Sequence, residues 1–219
     1  MNRLVIGTQR YSSWSLRGWL PVMMAGLEVE VQVIRLEAGP SAAIAQETPS
    51  GTVPYLEHDG ATVWDSLAIA EYCAELAPGL WPEDRIARAA ARSAAAEMHA
   101  GFRALRIALP MNTGRAEGPR TPIDAAVRAD IGRLGALWAG LRARFVGAAA
   151  AGPYLFGEFS LADAAFAPVA LRLDRYQVAL DADAGAYVAA VLAHPLMQRW
   201  CAEAAAEPES WRLEKYESM

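Results

Sequence analysis

A chain of 219 residues, 54% of them hydrophobic, has enough apolar material to bury a core as one large domain or two small ones. Its formal net charge is -5, and its Lys and Arg residues are scattered rather than gathered into a basic stripe, which argues against nucleic acid as a partner. The two cysteines, Cys73 and Cys201, form neither a CxxC pair nor a metal-ligand cluster with the three histidines, so no metal is expected and a reducing, cytoplasmic setting fits best. No run reaches membrane-spanning length without a charge or proline, and the opening residues lack the basic flank and long apolar stretch of a secretory leader. No membrane association is expected.

In chain order, the apolar run Leu4 to Ile6 reads as a strand, and Trp14, Leu16, Trp19 and Leu20 read as a helix. Pro21 falls inside that helix, where it removes a backbone hydrogen bond and crowds the preceding turn, so a kink or an early end is expected. Val29, Val31 and Val33 alternate as a half-buried strand does. Pro54 to Glu57 and Ala61 to Trp64 flank Asp59-Gly60, a pair that marks a tight turn between antiparallel strands. Ser66 to Ala77 reads as a helix stopped by Pro78-Gly79. Residues 1–80 therefore read as β-α-β followed by β-β-α.

Beyond Trp81 alanine dominates and strand formers thin out, so residues 85–219 read as all helical. Residues 85–110 are expected as one long helix ended by Pro110, with loops at 112–122 and 147–153 on either side of a helix from Ile123 to Phe145. Ser160-Leu161-Ala162-Asp163 has the form of a capping box and should open a buried helix running to about Tyr176. Ala184 to Ala193 and Leu196 to Ala206 complete the set, with Pro195 placed to open the last helix.

Three segments of the first half lie where a strand hands over to the next element. Tyr11-Ser12-Ser13-Trp14-Ser15 precedes a helix; its serines are natural N-caps, and the same helix terminus offers free N–H groups and partial positive charge to an anion. Thr52-Val53-Pro54 runs into a strand. A cis bond at Pro54 would turn the Val53 backbone outward, where it can pair with an extended peptide ligand. Asp65-Ser66 opens a helix, offering a carboxylate to a ligand ammonium and a hydroxyl with backbone donors to a ligand carboxylate. Together these suit an α-amino acid end and a thiolate.

In their order along the chain, Ser12-Ser13-Trp14-Ser15-Leu16-Arg17, Val53-Pro54, Asp65-Ser66 and Ser160-Leu161-Ala162-Asp163 resemble the cytosolic glutathione transferase superfamily. The first motif is similar to the serine-type classes, nearest the zeta, maleylacetoacetate isomerase-like pattern, with Trp14 in the place of a cysteine. The resemblance implies an α/β plus all-α fold, a thioredoxin-like domain over residues 1–80 and an all-helical domain over 85–219. It implies glutathione as co-substrate, a small hydrophobic electrophile as second substrate, and a homodimer. Ser12 matches the hydroxyl that holds the sulfur, with Ser13 or Ser15 as alternatives. Ser13, Trp14, Thr52, Val53, cis Pro54, Asp65 and Ser66 match the glutathione contacts, and the partner of the glycyl carboxylate is left open. Isomerisation and non-catalytic binding are the rival readings. Thiol-disulfide exchange is disfavoured, because no cysteine occupies the Ser12 to Ser15 turn. An electrophile pocket is expected between the halves, where Met98, Phe102 and Arg106 share a helix face by spacing, though core packing accounts for the same pattern.

Overall fold

A computed structural model describes residues 2–37, 39, 41–116, 123–146 and 152–217. The strands are β1 (Arg3–Gly7), β2 (Glu30–Ile34), β3 (Tyr55–His58) and β4 (Ala61–Val63), in the sheet order β2-β1-β3-β4. β1 runs parallel to β2 and antiparallel to β3, and β3 is antiparallel to β4. The crossover between the parallel pair is α1 (Ser13–Met24), followed past β2 by α2 (Ala42–Glu47); α3 (Ser66–Leu76) closes this thioredoxin-like half. β1 is buried on both faces, which is why Leu4, Val5 and Ile6 form an unbroken apolar run: Leu4 and Ile6 join α1 and α3 in the main core, while Val5 packs with Ile34, Ile44 and Tyr55 beneath α2. The turn between β3 and β4 has positive φ at both Asp59 and Gly60, as the Asp-Gly signal requires.

The second half comprises α4 (Arg85–Ala100), α5 (Arg103–Ala108), α6 (Ala125–Phe145), α7 (Leu161–Arg175), α8 (Ala182–Ala193), α9 (Pro195–Ala205), a 3-10 turn at Glu209–Trp211 and α10 (Glu214–Glu217). Four departures from the expected elements occur, and the first two have a direct physical cause. The single helix over 85–110 is broken at Gly101-Phe102, where Phe102 takes φ +55 and buries its ring, while Arg106 donates to the carbonyls of His99 and Gly101 that the break leaves free. α1 does not end at Pro21 but continues to Met24, because Leu16, Trp19, Leu20 and Val22 are fully buried around the proline. Each such side chain contributes roughly 1.5–3 kcal/mol, enough to offset one lost hydrogen bond. α2 and the segment beyond residue 206 have no counterpart among the expected elements. Of the two expected loops, residues 117–122 and 147–151 lie outside the described residues.

α7 is the spine of the second half, packed against α1, α4 and α8. Its start is fixed by Asp163, which is completely buried and accepts from the backbone of Ser160 and Leu155, the Ser160 hydroxyl and the Tyr187 hydroxyl, at 2.9 to 3.1 Å. Burial pushes its carboxyl up to about 6 against the pull of those four donors.

α1 meets the β3 side at a close approach. A Cβ at Gly18 would run into the ring of Pro54, whose bond to Val53 is cis.

Gly18→Ala should therefore destabilise by about 1–3 kcal/mol in urea titration through overpacking, whereas Gly140→Ala, on the open surface of α6, should stabilise by about 0.5–1 kcal/mol. Asp163→Ala strands buried donors and should cost about 3 kcal/mol or more by the same measurement. Because the folded-state carboxyl is raised, Asp163 favours folding most when protonated. The unfolding free energy of the native chain relative to Asp163→Asn should fall as pH rises from about 4 to about 6.

Candidate active site

The loop from β1 to α1 is a lattice of short hydrogen bonds. Thr8 donates its N–H to Ile34 and accepts from the Leu36 N–H, and the Thr8 carbonyl accepts from Tyr11 and Ser12 at 3.2 and 3.0 Å. This places Ser12 at the N-cap of α1. Its Oγ accepts from the Ser15 N–H at 3.2 Å and donates to the Ser15 Oγ at 2.7 Å, and the Ser15 Oγ accepts from the Gly7 N–H at 2.9 Å. Ser12 and Ser15 thus tie the end of β1 to the first turn of α1. Ser13 is held differently: its Oγ accepts from the Nη2 of Arg172, on α7, at 3.1 Å.

The mouth of this loop opens into a cleft of about 970 Å³, the size of a small-molecule site. Of the residues expected at a ligand, Ser12, Ser13, Trp14, Thr52, Val53 and Asp65 line it. Pro54 instead packs behind, against α1, and Ser66 lines a separate small cavity beside Arg17 and Trp81. Val53 lies just outside the β3 ladder, which begins at Tyr55. Asp65 caps α3 through the Leu67 N–H at 2.9 Å, with its other oxygen 3.2 Å from the His99 Nε2, and its peptide bond to Trp64 is cis.

The opposite wall comes from the helical half: Arg103, Arg106, Ile107 and Met111, with Arg172 at the floor. Trp14 sits where the walls meet, with the guanidiniums of Arg17 and Arg106 at 4.0 and 4.9 Å from its ring and His99 edge-on. Met98 and Phe102 belong to the core, so of the face read from spacing only Arg106 reaches the cleft. The lining is cationic although the chain is net acidic. Burial, then the neighbouring arginines, lowers Arg17 to about 9 and Arg172 to about 10, with Asp65 partly offsetting this at Arg17. Among the described residues neither has a carboxylate within ion-pair distance, and Nε of both and Nη2 of Arg17 lack a hydrogen-bond partner. Cys73 offers no nucleophile here, since burial pushes its thiol up to about 12. No group of three or more potential metal ligands occurs among the described residues, and no helix there is long and apolar enough to cross a membrane.

Residues that sequence reading missed complete the site. Arg172, in the last turn of the largely apolar α7, stands out in the sequence as a cation, but nothing local shows which loop it faces. Tyr216 and Glu217 carry no such signal, because their roles arise from pairing with residues some two hundred positions away. Glu217 accepts from Arg10 at 3.1 Å, the Tyr11 hydroxyl at 2.7 Å and Asn112 at 3.0 Å, and Tyr216 packs against Tyr11 at the cleft. Burial pushes the Glu217 carboxyl up, but these three donors hold it below its ordinary value. The Tyr11 hydroxyl, committed to Glu217 and accepting from the Leu213 N–H, is not available to a ligand.

Residues 11–76 match the family model of the glutathione S-transferase N-terminal domain. Solved structures with the same fold include a glutathione transferase homologue from a Burkholderia strain with bound glutathione, at 24% identity and TM-score 0.67 over 94% of this chain and 99% of that one. A bacterial zeta-class maleyl pyruvate isomerase is similar at 23% identity and TM-score 0.67, over 94% and 99%. A glutathione transferase from Methylococcus capsulatus is similar at 22% and 0.66, over 94% and 100%. No curated protein matches the sequence. The chain has the glutathione transferase fold, and residues 11–76 are similar to the N-terminal domain of glutathione S-transferases.

Glu217→Ala should free α10 from the loop before α1. Hydrogen exchange at Leu213 and Tyr11 should quicken, with a stability loss of about 1–3 kcal/mol. In the native chain this contribution is present above the ordinary glutamate pKa and should disappear as pH falls through the lowered folded value.

Proposed function

We propose that the cleft binds glutathione and presents its sulfur, as thiolate, to a small electrophile, so that the protein acts as a glutathione transferase. The observation that carries this reading is the convergence of Ser12, Ser13, Thr52, Val53 and Asp65 on one cleft beneath a cationic wall. Val53 supplies backbone outside the ladder for the peptide, and Asp65 supplies an acid for the γ-glutamyl ammonium. The sulfur lies at the N-terminus of α1 beside the Ser12 and Ser13 hydroxyls. Glutathione has two carboxylates and one ammonium, so ionising its thiol adds to a negative charge that Arg103, Arg106 and Arg172 favour.

The energetics are consistent. A thiol with pKa near 8.5 is only a few per cent ionised at pH 7, and lowering it by about two units needs about 2.7 kcal/mol. A hydrogen bond to a charged group contributes about 1.5–3 kcal/mol and a helix terminus about 0.3–1 kcal/mol. Ile107, Met111 and Leu36 give the electrophile an apolar wall.

Arg103 and Arg106 favour a second reading, isomerisation of a substrate that itself carries carboxylates, as maleyl pyruvate does. Glutathione consumed in step with product supports transfer; glutathione unchanged after turnover supports isomerisation.

Titration calorimetry should detect glutathione binding by the native chain, and its absence would overturn the reading. Ser12→Ala and Ser13→Ala should reduce turnover of an activated aryl halide roughly tenfold or more in at least one case while leaving glutathione affinity nearly unchanged.

A further inference from the structure

Arg172 is a cation enclosed in the core of the molecule, with one face toward the cleft. It is 5% exposed, and its two hydrogen bonds go to neutral oxygens, the Pro168 carbonyl at 3.3 Å and the Ser13 Oγ at 3.1 Å. Its Nε has no partner, and no carboxylate among the described residues pairs with it. The ionisable groups acting on it are Arg106 from α5, Tyr176 at the end of α7 and Tyr216 from α10, none of them a carboxylate. Burying a guanidinium this way is unfavourable unless an anion completes the arrangement. The cleft side is the side left for it.

The Ser13 hydroxyl is the group through which that anion is reached. Because its oxygen accepts from Arg172, its own proton is free to be donated, and Ser13 stands on the cleft at the first residue of α1. The neighbouring Ser12 proton is directed to Ser15. We infer that Arg172 is a positioning residue that fixes and polarises the Ser13 hydroxyl, so that the pair Ser13–Arg172 holds the ionised sulfur of bound glutathione. This rests on the glutathione reading above. No covalent step is involved: the thiol proton leaves to solvent, Ser13 keeps its own proton as a hydrogen-bond donor, and the guanidinium charge lies one atom behind the contact.

The test is the titration of the bound glutathione thiol by its ultraviolet thiolate absorbance, with S-methylglutathione as a ligand that has nothing to ionise. The native chain should bind the thiol with a pKa below that of free glutathione. Ser13→Ala and Arg172→Met should each raise it by about one unit, a roughly tenfold loss of thiolate. Their combination should raise it no further than the larger single change, since the two act as one device. Arg172→Lys should recover part of the shift. S-methylglutathione should bind all variants as it binds the native chain. Should Arg172→Met fail to fold, Ser13→Ala and Arg172→Lys still decide: both must raise the thiol pKa, and the lysine variant by less. Native-like thiol pKa in folded Arg172→Met, additive effects in the double variant, or no shift in Ser13→Ala would overturn the pairing. Absence of glutathione binding by the native chain overturns the proposed function and this inference with it. Glutathione bound by the native chain with the pKa of the free thiol overturns only the pairing.

Discussion

Two guanidiniums, those of Arg17 and Arg172, are enclosed near the joint between α1 and α7, and among the described residues neither has a carboxylate at ion-pair distance. Ordinary cores avoid such an arrangement, since a buried charge is retained only when something compensates it. Here the compensation is partial: Trp14 offers a π face to Arg17, and Ser13 and Pro168 offer neutral oxygens to Arg172. The rest of the architecture can be read as what keeps these cations in place. α7 carries Arg172 because Asp163 anchors its start with four donors, and α1 carries Arg17 because its flanking apolar residues bury it against the sheet. The positive potential of the cleft is thus a product of the core and survives the acidic balance of the chain as a whole.

The same joint explains why the two halves are interdependent. The thioredoxin-like half supplies the helix terminus, the Val53 backbone and the Asp65 carboxylate. The helical half supplies Arg103, Arg106 and Arg172, the apolar side chains Ile107 and Met111, and the hydrogen bond from Arg172 to Ser13. The main hydrophobic core runs without interruption from β1 through α1 into α4 and α7, so the relative placement of the two sets of groups is fixed by packing rather than by a linker.

Local signals account for what could be read from the sequence. The Asp59-Gly60 turn, the β-α-β opening, the Pro195 helix start and the buried helix after Ser160 each announce themselves within a few residues, and the structure shows all four. The failures are contextual. Alanine-rich residues 85–110 promised an unbroken helix, but the break at Gly101-Phe102 is set by where the Phe102 ring can be buried. Pro21 promised a kink or an early end; the helix does not end there, because tertiary burial outweighs one missing bond. α2 spans only 42–47 and is too short to announce itself by periodicity. At the cleft, the three segments of the first half were legible because each sits at a strand end. Arg172 and Tyr216 were not, because nothing local says which loop they face.

The tie between Glu217 and the loop at Arg10 and Tyr11 joins residues 206 positions apart along the chain. A contact of that span carries a large closure entropy and belongs to the late stages of folding. During synthesis, α1 and the sheet can assemble long before residue 217 leaves the ribosome. The growing chain therefore passes through a stage at which the hydroxyls of the first turn exist and one wall beside them does not. The finished shape of the cleft is, in that sense, a late product of the molecule's assembly.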